Sequence, residues 1–356
     1  MIKQIKHLYI HIPFCHNICS YCDFVRFQVN DINKKEKYVN EIIKQIQSEC
    51  NGCKFKTIYI GGGTPNCLDN HLLAQLLNEL SKYLDNECEF TIECNPEFVN
   101  LEQIQIFKQY KINRISLGVQ SLNQNVLNIF HRKHTNKQVF QSIKLLHKNN
   151  VHNISVDFIY GLNDISKSDL QANVQFLIDY QIPHVSFYSL ELKPNSIMTK
   201  NNFHLNGETI DEQWKIIEKT MQEKHFDHYE IANFAINKQY YSQHNLAYWN
   251  TNDWIGIGLG AYGLVNRQYY SYVGNLNNYK KQIQNYDDYE YYLHILIMGL
   301  RLIHGFDLKL SHHRKAFQFF QHLIDPNLYQ IIDEKIILKN YNQLDEILIK
   351  LVNENH

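Results

Sequence analysis

Apolar and polar positions along this chain change their period many times. The β-branched and aromatic runs Leu8–Ile12, Thr57–Ile60, Phe90–Glu93, Arg114–Leu117, Ile154–Phe158 and Val185–Ser189 predict strands. Between them, Lys35–Glu49, Asn70–Leu84, Leu101–Tyr110, Gln138–Lys148, Ser168–Tyr180 and Thr209–Lys224 carry apolar residues three and four apart, which predicts amphipathic helices. Strands that alternate with helices in series imply a parallel sheet, so the fold class expected is α/β. Six strand–helix units are too few to close an eight-fold barrel, and a partial (βα)6, TIM-like barrel fits them.

Past residue 226 the pattern changes. Tyr229–Phe234 reads as a short strand, His244–Trp249 as an aromatic turn, and Gly256–Gly263 is dense in glycine. From Asn277 onward the chain reads as helical, with Tyr289–Arg301 the clearest stretch, Glu334–Lys339 a small strand and Leu344–Val352 a closing helix. The division expected is a barrel domain over 1–275 and a smaller, mainly helical C-terminal domain over 276–356.

Composition narrows the classes. Of 356 residues, 44% are hydrophobic and 20% charged, as in a core-forming globular chain. A net charge of −1 gives no drive toward nucleic acid. No apolar run is long enough for a transmembrane segment, and the N-terminus lacks the pattern of a secretory signal, so a cytoplasmic protein is expected. All eight cysteines lie in the first 94 residues, and in a reducing compartment such a cluster points to metal or catalysis.

Just past the strands lie Cys15, Cys19 and Cys22, then Gly61-Gly62-Gly63-Thr64-Pro65, Glu93-Cys94-Asn95-Pro96, Gly118-Val119-Gln120-Ser121, and Asp157 with Tyr160-Gly161-Leu162. Parallel α/β folds place their sites at these carboxyl ends. In Cys15-x3-Cys19-x2-Cys22 three soft thiolates are available for one centre. They suit an iron–sulfur cube with one iron left open, or a zinc ion completed by a further ligand. Cys50-x2-Cys53 reads as a helix end, Cys67, Cys88 and Cys94 as buried small residues, and His312-His313 as surface.

This triplet directly after Tyr9-Ile10-His11-Ile12-Pro13-Phe14, with the Gly61–Pro65 loop, resembles the radical S-adenosylmethionine (SAM) superfamily. The resemblance is to the branch of oxygen-independent coproporphyrinogen III oxidases and HemW-type haem chaperones. It continues through Arg114–Ser121, Asp157–Leu162, Tyr229–Phe234, His244–Trp249, Gly256–Gly263 and Gly299–Leu302. It implies a [4Fe–4S] cluster on Cys15, Cys19 and Cys22, with SAM on the open iron as a source of radical chemistry. It further implies that Tyr9, Gly62, Gly63, Thr64 and Glu93 contact SAM, and that Tyr21, Gln120, Arg132 and Asp157 line the same cavity. On the residues alone, Glu93 and Asp157 also fit as helix caps and Arg132 as a surface charge.

Within the branch, the oxidases carry another cysteine two residues beyond the triplet. Here Cys22-Asp23-Phe24 stands in its place, which is the HemW-type pattern. His244-Asn245-x2-Tyr248-Trp249 resembles the motif linked to haem in that group, so His244 is a candidate haem ligand. A polar histidine in an aromatic core turn is the alternative. The resemblance therefore implies a haem chaperone that binds haem or porphyrin as cargo, delivers it to acceptor haemoproteins, some reached by transient contact with membrane proteins, and takes electrons from a donor. The alternative is oxidative decarboxylation of coproporphyrinogen III. The chain departs from the family at Lys193, where Glu is usual, and at Asn163, where Pro is common.

Overall fold

The computed structural model describes residues 5–353. Six strand–helix units come first: β1 (His7–Ile12), α1 (Ile32–Glu49), β2 (Phe55–Gly62), α2 (Asn70–Ser81), β3 (Leu84–Cys94), α3 (Leu101–Gln109), β4 (Arg114–Gln120), α4 (Asn136–Lys148), β5 (Ile154–Tyr160), α5 (Lys167–Asp179), β6 (His184–Ser189) and α6 (Gly207–Glu223). Pairing is parallel from β1 through β6, and each neighbour in space is the next in sequence. Capping boxes at Thr135/Gln138 and Ser166/Asp169 fix the starts of α4 and α5.

Both edges of this sheet are extended. β7 (Asp227–Glu230) and β8 (Asn233–Ala235) add antiparallel strands beyond β6. After α7 (Gln243–Trp249), β9 (Trp254–Ile257) pairs in parallel with β1, a seventh parallel strand beyond the six expected. β10 (Tyr262–Val265), β11 (Gln268–Asn275) and β12 (Asn278–Asn285) follow antiparallel. The twelve strands run β12-β11-β10-β9-β1-β2-β3-β4-β5-β6-β8-β7, so the barrel is partial and open between β12 and β7.

Strand alternation explains the layering. Leu8, Ile10, Ile58, Ile60, Phe90, Ile92, Leu117, Val156 and Val185 are fully buried in one cluster with Val39, Ile42, Leu73, Leu76 and Ile143 of the helices. Burying each such side chain is worth about 1.5–3 kcal/mol. The alternate positions are polar: Tyr9 and His11, Tyr59, Thr91 and Glu93, Arg114 and Ser116, Ser155 and Asp157, His184 and Ser186. They hydrogen-bond to one another across the barrel interior, as in Tyr59–Glu93, Ser116–Asp157 and Ser155–His184.

A second apolar cluster joins Ile295, Leu296, Phe306, Phe317, Phe320, Ile347 and Leu351, built around α8 (Asp288–Gly299). The division expected at 275/276 falls at the turn joining β11 to β12, two strands of the same sheet. Among the described residues no helix is long and apolar enough to cross a membrane.

Four local expectations are corrected. Asn278–Asn285, at the start of the stretch expected to be helical, is strand, because alternation over Tyr279, Lys281 and Ile283 meets the ladder of β11, whereas the helices expected over Tyr289–Arg301 and Leu344–Val352 are present. His244–Trp249 lies in a helix, not a turn; Ser242 caps it, and the Glu89 carboxylate accepts the Gln243 and His244 N–H groups. Tyr229–Phe234 is two antiparallel strands with a turn at Ile231-Ala232. His313 is buried, not on the surface: it stacks on Phe306, and its ring nitrogens meet Asp307 O and Thr251 Oγ1.

Candidate functional site

At the carboxyl ends of the parallel strands a cavity of about 380 Å³ opens. Cys15, Cys19 and Cys22 lie on its wall with Tyr21, Gly62, Gly63, Thr64, Glu93, Gln120, Arg132 and Asp157. Eleven of the thirteen residues singled out in the sequence are thus brought to one cavity. A wider cleft of about 920 Å³ at the amino ends, around Lys6, His7, Lys56, Asp85 and Asp253, holds no cysteine.

The cysteine loop leaves β1 and is held by segments distant in sequence. Ser20 donates its N–H to Phe130 O at 3.0 Å and its hydroxyl to Ile129 O at 2.7 Å, while Met198 N–H donates to Ser20 O at 2.9 Å. Opposite it, the glycine turn comes very close. A Cβ on Gly63 would lie 2.7 Å from Phe14 O and 2.8 Å from Cys15 Sγ, so only glycine fits. Gly62 has φ +118 and donates its N–H to Glu93 Oε2 at 3.1 Å.

The carboxylates are tuned by burial. Glu93 is pushed up to about 7 by desolvation and by Asp157, against the pull of Tyr59, whose hydroxyl donates to Oε1 at 2.9 Å, and of Gly62 N–H. Burial raises Asp157 to about 6, against Arg114 and a hydrogen bond from Ser116 at 3.2 Å. Burial also pushes the Cys15 and Cys22 thiols up to about 12, so these sulfurs need a cationic partner to become thiolates.

Two expected residues stand outside this wall. Tyr9 is partly buried behind it and bonds His11 Nδ1 at 3.1 Å, while His11 Nε2 meets Val25 O at 2.8 Å. Tyr9 thus braces the segment after Cys22. His244 is 1% exposed and sits deep in the barrel core. Its Nδ1 meets Thr57 Oγ1 and its Nε2 the Tyr248 hydroxyl, each at 2.7 Å. In this fold both ring nitrogens of His244 are held by hydroxyls.

Tyr59, Ser116 and Tyr188 also line the cavity, none of them named as a site candidate from sequence, together with Asn95 of the Glu93–Pro96 strand end. The signal was alternation: Tyr59, Ser116 and Tyr188 occupy the inward positions of β2, β4 and β6. Lys193, one of the departures, lies on the cavity wall, whereas Asn163 accepts a hydrogen bond from Thr209 at 2.9 Å elsewhere.

The sequence profile of the radical SAM superfamily matches residues 9–177. The chain is 34% identical over 289 residues to a protein named heme chaperone HemW from Lactococcus lactis subsp. lactis, covering 79% of this chain and 75% of that one. The chain belongs to the HemW family of radical SAM proteins. A HemW from Buchnera aphidicola subsp. Schizaphis graminum is 29% identical and spans 98% of this chain and 91% of its own. In fold, the chain matches the coproporphyrinogen III oxidase HemN of Escherichia coli with a TM-score of 0.83, covering 99% of this chain and 91% of that one at 16% identity.

Membership in the radical SAM superfamily implies a [4Fe–4S] cluster and SAM, and the residues fit both. Three cysteines share one cavity wall, as three-thiolate ligation of an iron–sulfur cube requires. Side-chain donors already point at two of the sulfurs: Thr64 Oγ1 at Cys15 and Arg132 Nη1 at Cys19, both at 3.7 Å.

Proposed function

We propose that this chain is a HemW-type haem chaperone that holds a [4Fe–4S] cluster on Cys15, Cys19 and Cys22. SAM occupies the same cavity, and haem is passed to acceptor haemoproteins in the cytoplasm. One observation carries the reading: three cysteines, a glycine turn that only glycine can make, and two carboxylates of raised pKa meet in one cavity. When bound, the cluster supplies an electron to the sulfonium of SAM.

The protein's part is to hold and orient. The Gly62–Thr64 backbone lets the methionyl end of SAM approach closely, and Glu93 accepts from its ammonium or ribose hydroxyls. Tyr21, Gln120, Arg132 and Asp157 line the space beyond. Arg132 donates to Cys19, Asn95 Oδ1 and Gly118 O. Phe24, 60% exposed at the cavity wall where the oxidases carry cysteine, favours haem handling over a propionate decarboxylase. Haem docks without His244 as its ligand, since that ring is sealed in the barrel core.

The test is anaerobic reconstitution of the full chain with iron and sulfide. Expected are about four irons per chain in the wild type, none in a Cys15/Cys19/Cys22→Ala variant, and haem transfer to an apo-haemoprotein. Conversion of coproporphyrinogen III to protoporphyrinogen IX in the presence of SAM would overturn the chaperone assignment.

A further inference from the structure

Asn95 follows the third strand and has both ends of its side-chain amide in use. Its Oδ1 accepts from Arg132 Nη2 at 2.9 Å, and its Nδ2 donates to Thr64 Oγ1 at 3.3 Å. Each of those partners carries one step further, to a sulfur: Arg132 Nη1 to Cys19 and the Thr64 hydroxyl to Cys15, both at 3.7 Å. The Cys22 sulfur is met by the Phe24 backbone instead. One amide therefore sits between two of the side-chain donors that face the sulfurs, while the Tyr21 hydroxyl reaches Cys19 independently of it.

Asn95 is itself held from behind. Its N–H donates to Asn66 Oδ1 at 2.9 Å, and Asn66 Nδ2 donates back to Asn95 O at 3.2 Å. Asn66 is 1% exposed and is fixed by Gln103 of α3, itself 3% exposed, whose Nε2 reaches Asn66 O at 2.7 Å. This ladder of amides, from buried Gln103 and Asn66 to half-buried Asn95, ends at the cysteine loop. Such a chain is costly to bury unless every member is satisfied, and here its terminal donors point at sulfur.

We propose that Asn95 is a positioning residue that aims the Arg132 and Thr64 donors at two of the three cluster sulfurs and so raises the cluster's reduction potential. The proposal rests on the cluster reading above and deepens it. A hydrogen bond to a ligand sulfur stabilises the reduced cluster more than the oxidised one, because reduction adds negative charge that sulfur shares. Both donors need the amide. By filling a lone pair of the Thr64 hydroxyl, Asn95 Nδ2 turns its O–H toward Cys15, and Asn95 Oδ1 with Gly118 O fixes the plane of the guanidinium. An aspartate cannot donate to Thr64, and an apolar residue serves neither partner.

The test is an EPR-monitored redox titration of the reconstituted full chain without SAM, beside iron and sulfide analysis. Asn95→Ala and Thr64→Val are expected to keep their cluster but to show a midpoint more negative than the wild type. Asn95→Ala should move at least as far, because it frees both donors. Thr64→Ser keeps the hydroxyl and should keep the wild-type midpoint. Wild-type midpoints in Asn95→Ala and Thr64→Val at full cluster content would overturn the proposal, as would a Thr64→Ser shift equal to that of Thr64→Val. If Asn95→Ala does not take up cluster, the Thr64 pair decides. A wild-type chain that takes up no iron overturns the cluster reading itself.

Discussion

The Nε2 atom of His244 lies 2.7 Å from the Tyr248 hydroxyl, a contact made within one short helix and sealed inside the barrel. Nδ1 of the same ring continues the chain to Thr57 Oγ1, and Thr57 to His7 Nδ1 at 3.0 Å. Burial lowers the His244 pKa well below its ordinary value, with the charges of His7 and Arg114 adding to the effect, so the ring is neutral.

This network makes His244 a core residue. His244→Ala leaves the Thr57 and Tyr248 hydroxyls without their partner and opens a cavity, at an expected cost of about 2–4 kcal/mol in denaturant unfolding. Haem affinity per folded chain should be unchanged in a titration followed by absorbance. Loss of haem with stability intact would restore the ligand role.

Gly63→Ala tests the close approach at the cysteine loop. The new methyl would meet Phe14 O at 2.7 Å and Cys15 Sγ at 2.8 Å, so one of them must move. Cluster occupancy after reconstitution should fall well below that of the wild type, while the melting temperature changes little because the strain lies in a loop. Equal iron content in the two proteins contradicts this.

The Tyr59–Glu93 pair sets a pH dependence. Glu93 at about 7 must be ionised to accept from SAM, so affinity should fall as pH drops through that value. Tyr59→Phe removes a donor to the carboxylate, a bond worth about 1.5–3 kcal/mol, and raises the Glu93 pKa further. Binding of SAM to the reconstituted variant should be weaker by about tenfold at pH 7 and approach wild type near pH 9. A pH-independent gap would mean that Tyr59 contacts SAM directly.

Glu230 offers a stability test away from the cavity. It is fully buried, its Oε1 has no hydrogen-bond partner, and desolvation pushes it up to about 7 despite Asn233 and Arg301. A raised folded-state pKa stabilises below about pH 4.5, and that contribution is lost as pH rises through about 7. Glu230→Gln does not titrate. It should match wild type near pH 5 and be more stable by up to about 3 kcal/mol at pH 8. Urea unfolding at both pH values measures this.

The chain's own pattern determined the serial strand–helix units, because each βα unit is local: a period of 2 gives way to one of 3.6, with caps such as Thr135 and Ser166 between. It also determined the cysteine centre, since Cys15, Cys19 and Cys22 lie within one loop and Gly62 and Gly63 within one turn. Tertiary structure alone decided what reaches the cavity. Tyr59 and Tyr188 arrive there because parallel strands bring residues far apart in sequence to one edge, and no short motif records that adjacency. It likewise decided that His244 turns inward: Thr57 lies 187 positions away, and only packing α7 against β2 and β3 closes the ring into their hydrogen bonds. The β11–β12 hairpin was hidden for a similar reason, since the polar residues of β12 become strand only through the ladder that β11 offers.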